Sequence, residues 1–258
     1  MSFRYGRRTS GFSLVELLVV IGIIVLLIAI LLPVVNRIRA ISRSTKCLAN
    51  LQQWGHSYEM YLNANNNKPI SEVDGAGHLR WWEVLSPYND NVRTSLLCPD
   101  AYEPRAGAPV PDGDKAWISW GSAFAAWRAA SKWSSGRVFG NDYFGSYCIN
   151  AWTFHHRPRN MQQLYIRFPA RQAARIPLLG DSMAVWAVPT TGDPVPTNLI
   201  DPERDARGGI GGYCIDRHQM AVNVVFLDGH GEHVPLAGLW QLKWTENSVP
   251  RDVVVPTP

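Results

Sequence analysis

What this 258-residue chain lacks narrows its chemistry before any residue is placed. It has no Gly-rich phosphate loop, no Gly-x-Ser-x-Gly context around Ser182 and no His-Glu-x-x-His helix, so the short motifs of nucleotide hydrolysis, acyl transfer and zinc proteolysis are missing. Its four cysteines include no Cys-x-x-Cys pair, which argues against a zinc ribbon. Charge is scarce too: 18% of residues are charged and 46% hydrophobic, with a formal net charge of +4. That is neither the composition of a disordered chain nor the bias of a low-complexity one. The expectation is a globular protein of one or two domains that is not an enzyme.

The most informative absence is local. From Leu17 to Val35 no residue is charged and nearly all are Leu, Ile or Val, a run long enough to cross a bilayer. Ahead of it Arg4, Arg7 and Arg8 form a basic leader with no acid, and without them the net charge falls from +4 to +1. The basic character therefore belongs to the leader, and no nucleic-acid partner is expected. A secretory signal has an apolar stretch of about 7–15 residues followed by a small-residue cleavage site. Here the run is longer and continues through Pro33 into Asn36-Arg37-Ile38-Arg39 without such a site. Basic residues on both sides of the span leave its orientation open to charge counting. Just before the run stands Gly11-Phe12-Ser13-Leu14-Val15-Glu16, and a carboxylate at the edge of a span is costly unless neutralised, which points to function.

These residues resemble the N-terminus of the type IV pilin and type II secretion pseudopilin superfamily, whose prepilin signal is cut before the hydrophobic helix. The resemblance implies that residues 1–11 are a leader, that a prepilin peptidase cleaves between Gly11 and Phe12, and that the new amino group of Phe12 is methylated. It implies that Glu16 neutralises the N-terminal amine of a neighbouring subunit during assembly, a buried amine and carboxylate being tolerable only as a pair. It also places Pro33 where pilins carry a helix-kinking proline, and the head outside the inner membrane, in the periplasm or on a filament.

Beyond the span, Val34, Ile38, Ile41, Leu48, Leu51, Tyr58 and Leu62 keep a spacing of three or four residues or its multiples, so the helix is expected to continue. The run from Asn63 to Pro69 ends it, giving one helix over residues 12–63 with its membrane span at about 14–35. Residues 64–258 are expected to form an α+β, pilin-like head in which the helix packs on an antiparallel sheet with long loops. β-prone runs occupy Tyr143–Trp152, Ile176–Leu179, Ala184–Val188 and Ala221–Leu227. Pro-, Gly- and Asp-rich stretches at 99–114 and 189–212 read as surface loops. Asp228-Gly229 signals a two-residue hairpin turn.

His218, nine residues and then Asp228-Gly229 resemble the C-terminal His-x9-Asp-Gly signature of planctomycete-type pilin-like proteins. Cys47-Leu48-Ala49-Asn50-Leu51, Leu97-Cys98-Pro99 and Leu239-Trp240-Gln241-Leu242-Lys243-Trp244 agree with it. Function in that family is poorly defined, so the resemblance classifies more than it explains.

Cys47, Cys98, Cys148 and Cys214 would lie in an oxidising compartment, where two disulfides are expected; spacing does not choose among three pairings, with a leaning to Cys47 and Cys98, and buried free thiols are the alternative. His218, Asp228, His230, Glu232, His233 and Asp181 raise a metal site, against which a polar network with His218 bonded across the hairpin is preferred. Asp193, Asp201, Glu203 and Asp205 are weak calcium candidates in an acidic loop of no recognised spacing. No other cofactor is expected.

Function is expected to be structural: a subunit processed by prepilin peptidase that joins other pilin-like subunits in a pilus or pseudopilus. An anchored adhesin or carbohydrate-binding head is the alternative, suggested by eleven tryptophans. A metal-dependent hydrolase using His218, His230 and His233 is the third.

Overall fold

The structure, a computed structural model, describes residues 14–71, 80–103, 118–119, 121–129, 143–154, 165–202, 206 and 208–257. Helix α1 (Leu14–Ala64) is 51 residues long and runs unbroken through Pro33. At 1.5 Å per residue it extends about 77 Å. It stops where asparagines take over: Asn66 and Asn67 adopt the left-handed conformation, at φ 54° and 58°. The Asn67 N–H returns to the Leu62 carbonyl at 2.8 Å, closing the last turn as helix C-terminal asparagines commonly do.

The chain divides into two compact units, residues 1–42 and 43–258. The described part of the first is helix alone. Its Leu, Ile and Val side chains are exposed from Leu14 to Ile41, and its apolar window has a mean hydropathy of 3.5 with none of it buried. A single apolar helix thus fits one membrane crossing.

The second unit contains the rest of α1, the short helices α2 (Trp81–Leu85) and α3 (Val92–Ser95), and two sheets. Strands β1 (Ile118–Ser119), β2 (Trp127–Ala129) and β3 (Tyr143–Gly145) form an antiparallel sheet. Strands β4 (Tyr147–Asn150), β5 (Pro177–Asp181), β6 (Trp186–Ala187), β7 (Ala221–Phe226) and β8 (Gly231–Pro235) form a second sheet in the order β6-β4-β5-β7-β8. The architecture is α+β, with one departure from the expected antiparallel sheet: β6 pairs with β4 in parallel. The β-prone run from Tyr143 to Trp152 also divides at Ser146, giving one strand to each sheet.

Both faces of the five-stranded sheet are covered, which explains why β4, β5 and β7 are buried along their whole length. On one face Tyr147, Ile149, Leu179 and Val225 join Cys47, Leu51, Trp54 and Tyr58 of α1 in a single apolar cluster. Close approach is allowed by two glycines. A Cβ on Gly55 would meet Val225 Cγ2 at 2.9 Å, and one on Gly231 would meet Leu48 Cδ1 at 2.7 Å. The opposite face, with Cys148, Val222, Val224 and Phe226, packs on Tyr213, Leu239, Trp240 and Trp244. The stretch from Pro189 to Gly212, expected as a surface loop, belongs to this cover: Leu199 and Ile210 are buried in it, because the sheet's second face offers apolar area that needs burial.

The hairpin occurs as expected, but its turn does not. The loop between β7 and β8 is Leu227-Asp228-Gly229, with the Gly229 N–H bonded to the Phe226 carbonyl at 3.0 Å and the Phe226 N–H to the His230 carbonyl at 2.9 Å. Gly229 alone takes the left-handed conformation, at φ +81°. This is the three-residue loop that needs glycine only at its last position.

Candidate functional site

Four motif fragments far apart in the chain converge on the helix-covered face of the sheet. Cys47 comes from α1. Cys98 follows α3 and is held there by two bonds from its neighbours, Asn50 Nδ2 to the Leu97 carbonyl at 3.0 Å and Ser146 N–H to the Leu96 carbonyl at 2.8 Å. Asp181 ends β5, beside Asn223 of β7 by the Gly180–Val224 register. His218 lies in a tight turn before β7, where Gln219 and Met220 are both left-handed and the His218 N–H reaches the Ala221 carbonyl at 3.1 Å. Cys47, Cys98, Asp181 and His218 are all buried, and their ligand atoms lie within 4.8 Å of one another.

Inside the cluster, Cys47 Sγ lies 3.2 and 3.3 Å from the two Asp181 oxygens. His218 Nε2 is 3.1 Å from Asp181 Oδ2 and 3.4 Å from Cys98 Sγ. Around it stands a second ring of groups. His218 Nδ1 is 3.0 Å from Asp100 Oδ2, and Asp100 in turn pairs with Arg43. Arg217, fully buried, donates to Asp181 at 3.2 Å and to the carbonyls of Ser122, Ala123 and Ser146. The Asn223 N–H donates to Asp181 at 2.9 Å. Tyr147 Oη lies 3.5 Å from Cys47 Sγ.

The electrostatics follow from this arrangement. Burial would raise the Asp181 carboxyl, but hydrogen bonding and charge from His218, with Arg217 and the Asn223 N–H, hold it at about 2. Burial would lower His218, but its bonds to Asp181 and Cys98 lift it to about 10. Burial pushes the Cys47 thiol up. The Cys98 thiol is also raised by burial, yet bonding from Cys47 and His218 and the charge of Arg217 outweigh this and bring it below its ordinary value. Two buried thiols beside an imidazole and a carboxylate are donor types that suit a zinc-type cation.

The other expected site residues fall elsewhere. His218 does not bond across the hairpin with its side chain; it turns inward to Asp181, Asp100 and Cys98 because the left-handed turn at 219–220 aims it under the helix. His230 stacks on Phe226 and pairs with Asp228 and Glu232 at the surface, while His233 bonds Asn223 Oδ1 at 3.1 Å. The three histidines therefore have separate hydrogen-bond partners, although the His218 and His233 ring centroids lie 6.4 Å apart. The Asp193 carboxylate accepts from Thr190 N–H and Oγ1 and from the Ile210 N–H. Asp201 is described; Glu203 and Asp205 lie outside the described residues, as do Gly11 and Phe12.

All four cysteines are buried thiols with no disulfide between them, and the structure brings Cys47 and Cys98 into one cluster. Trp54, Trp81, Trp82, Trp127, Trp152, Trp240 and Trp244 are buried, and Trp186 is 37% exposed. Six of these indoles donate to a backbone carbonyl. Trp54, Trp81, Trp82 and Trp127 stack edge to face or tilted, with centroids 5.0–5.7 Å apart. These four rings belong to the buried core, and Trp117, Trp120 and Trp133 lie outside the described residues. Asp100 and Arg217 escaped the sequence reading. Each lies within two residues of a motif cysteine or histidine, Asp100 after Cys98 and Arg217 before His218, but no local pattern singles it out.

Residues 6–32 match the family model described as the prokaryotic N-terminal methylation motif. That segment, a prepilin-type N-terminal methylation motif, contains Gly11, Phe12 and Glu16. No curated protein and no solved structure matches the chain.

Proposed function

We propose that the protein is a pilin-like structural subunit, cut by prepilin peptidase between Gly11 and Phe12, methylated at Phe12 and assembled through α1 into a type IV pilus or a type II secretion-like pseudopilus. The observation that carries this reading is the methylation motif at residues 6–32 running directly into a helix whose apolar side chains are exposed through Ile41. Such a surface exceeds any patch a soluble monomer leaves open, and it needs lipid before assembly and other helices after it. Glu16 lies in the first turn of α1, where its carboxylate sets register by neutralising the amine of an adjoining subunit.

The test is the N-terminal sequence and mass of the protein recovered from its native membrane or from shed filaments. A mature chain beginning at N-methylated Phe12 is expected. A chain that retains Met1, or is cut after the apolar run, overturns the reading. Glu16→Ala is expected to be processed normally yet to fail to form filaments, as judged by sedimentation of sheared material.

A further inference from the structure

We propose that Cys47, Cys98, Asp181 and His218 hold a structural Zn2+ ion inside the head. The donor types are those zinc prefers, two thiolates, an imidazole nitrogen and a carboxylate oxygen, all provided by the protein, so the site is closed as structural sites are. With Zn–S near 2.3 Å and Zn–N or Zn–O near 2.0–2.2 Å, a tetrahedron of these atoms has edges of about 3.3–3.8 Å. The separations of 3.1, 3.2 and 3.4 Å between Asp181 and His218, Cys47 and Asp181, and Cys98 and His218 sit close to that range.

The surroundings are built for the same task. Asp100 accepts from His218 Nδ1, which fixes the ring and aims Nε2 at the cluster, the carboxylate–histidine arrangement found behind zinc ligands. Arg217 and the Asn223 N–H hold the Asp181 carboxylate in place. Charge also balances. Two thiolates, Asp181 and Asp100 face the cations Arg217 and Arg43, and a divalent ion neutralises the remainder with His218 uncharged. Binding therefore expels the two thiol protons and the Nε2 proton. The ion would join α1, the segment after α3, strand β5 and the turn before β7, tying the base of the long helix to the head.

This proposal stands on the head alone and survives or fails independently of N-terminal processing. The full-length protein, purified in detergent without chelator, is expected to carry about one equivalent of zinc per chain, and its Co2+-loaded form to show thiolate-to-metal charge transfer and the d–d bands of a tetrahedral site. Cys98→Ser should abolish both signals, and Cys148→Ser should keep them. Asp100→Asn, at a partly exposed position that leaves every ligand present, should weaken metal affinity about 10–100-fold. Should Cys98→Ser fail to fold, the wild-type cobalt spectrum and the Asp100→Asn titration decide. A wild-type chain with no zinc and no thiolate–cobalt band overturns the proposal, whether Cys47 and Cys98 are free or joined in a disulfide. So does bound metal that persists unchanged in Cys98→Ser.

Discussion

The two parts of α1 face opposite problems with the same backbone. Up to Ile41 every large apolar side chain is exposed, whereas from Cys47 to Tyr58 seven residues are buried, among them the polar Asn50 and Ser57. The outer part is uncharged from Leu17 to Val35 and contains one glycine, Gly22, where an added Cβ would meet nothing within 4 Å; the inner part contains Gly55, pressed against Val225 and Gly229. Hydrogen bonding inside the helix serves both parts equally. What differs is the medium each side-chain surface suits: a uniformly apolar one such as lipid in one case, a shaped protein core in the other. A surface that meets a uniform apolar medium needs composition only, while one that meets a core needs shape and partners.

Substitutions that strike one part and spare the other sharpen this contrast. Trp54→Ala removes the indole that packs on Trp81 and donates to the Ser95 carbonyl, and should destabilise the head by about 3–5 kcal/mol. The measurement is the urea midpoint of the full chain in detergent, and membrane retention should not change. Leu26→Asp should do the reverse: insertion is penalised by about 2.5–3.5 kcal/mol and the protein is lost from the membrane fraction, while the head's urea midpoint stays put. If either variant moved both readouts together, the division between the two parts would be broken.

Glycine gives a finer test within the one helix. Gly55→Val forces Val225 and the Gly229 backbone apart and should cost about 1–3 kcal/mol of head stability, whereas Gly22→Val should leave the midpoint unaltered.

The smallest expected effect is at the hairpin. Burial works slightly against a charged His230, but bonds to Asp228 and Glu232 outweigh it and raise its pKa in the folded state. A raised folded value means the contribution is complete below the unfolded value of about 6.5 and disappears as pH rises through the folded value. The pair is well exposed and screened, so the contribution is about a few tenths of a kcal/mol. Comparing wild type with His230→Gln, the stability difference should be present in mild acid and shrink toward alkaline pH; a gap that widens instead would reverse the sign.

Much of the frame is legible without coordinates. The long helix and its asparagine stop, expected at 63 and observed at Ala64, are legible because hydrophobic run length and turn residues are local signals. The runs at 176–179 and 221–227 form β5 and β7 for the same reason. The hairpin is recognisable but its turn is not: Asp-Gly suits either loop length, and the register of β7 with β8 decides which. The parallel pairing of β4 with β6 and the division at Ser146 leave no local trace. In the candidate site, Cys47, Cys98, Asp181 and His218 each stand out singly, while Asp100 and Arg217 do not.

The chain by itself determined where its long apolar helix lies, what kind of N-terminus precedes it and where the last hairpin folds, because these depend on neighbours within a few turns or strand pairs. Only the tertiary structure decided that Cys47 meets Asp181 across 134 positions and Cys98 meets His218 across 120. Such meetings follow from how α1 settles on the five-stranded sheet. That is a matter of packing shape, which composition and periodicity do not encode.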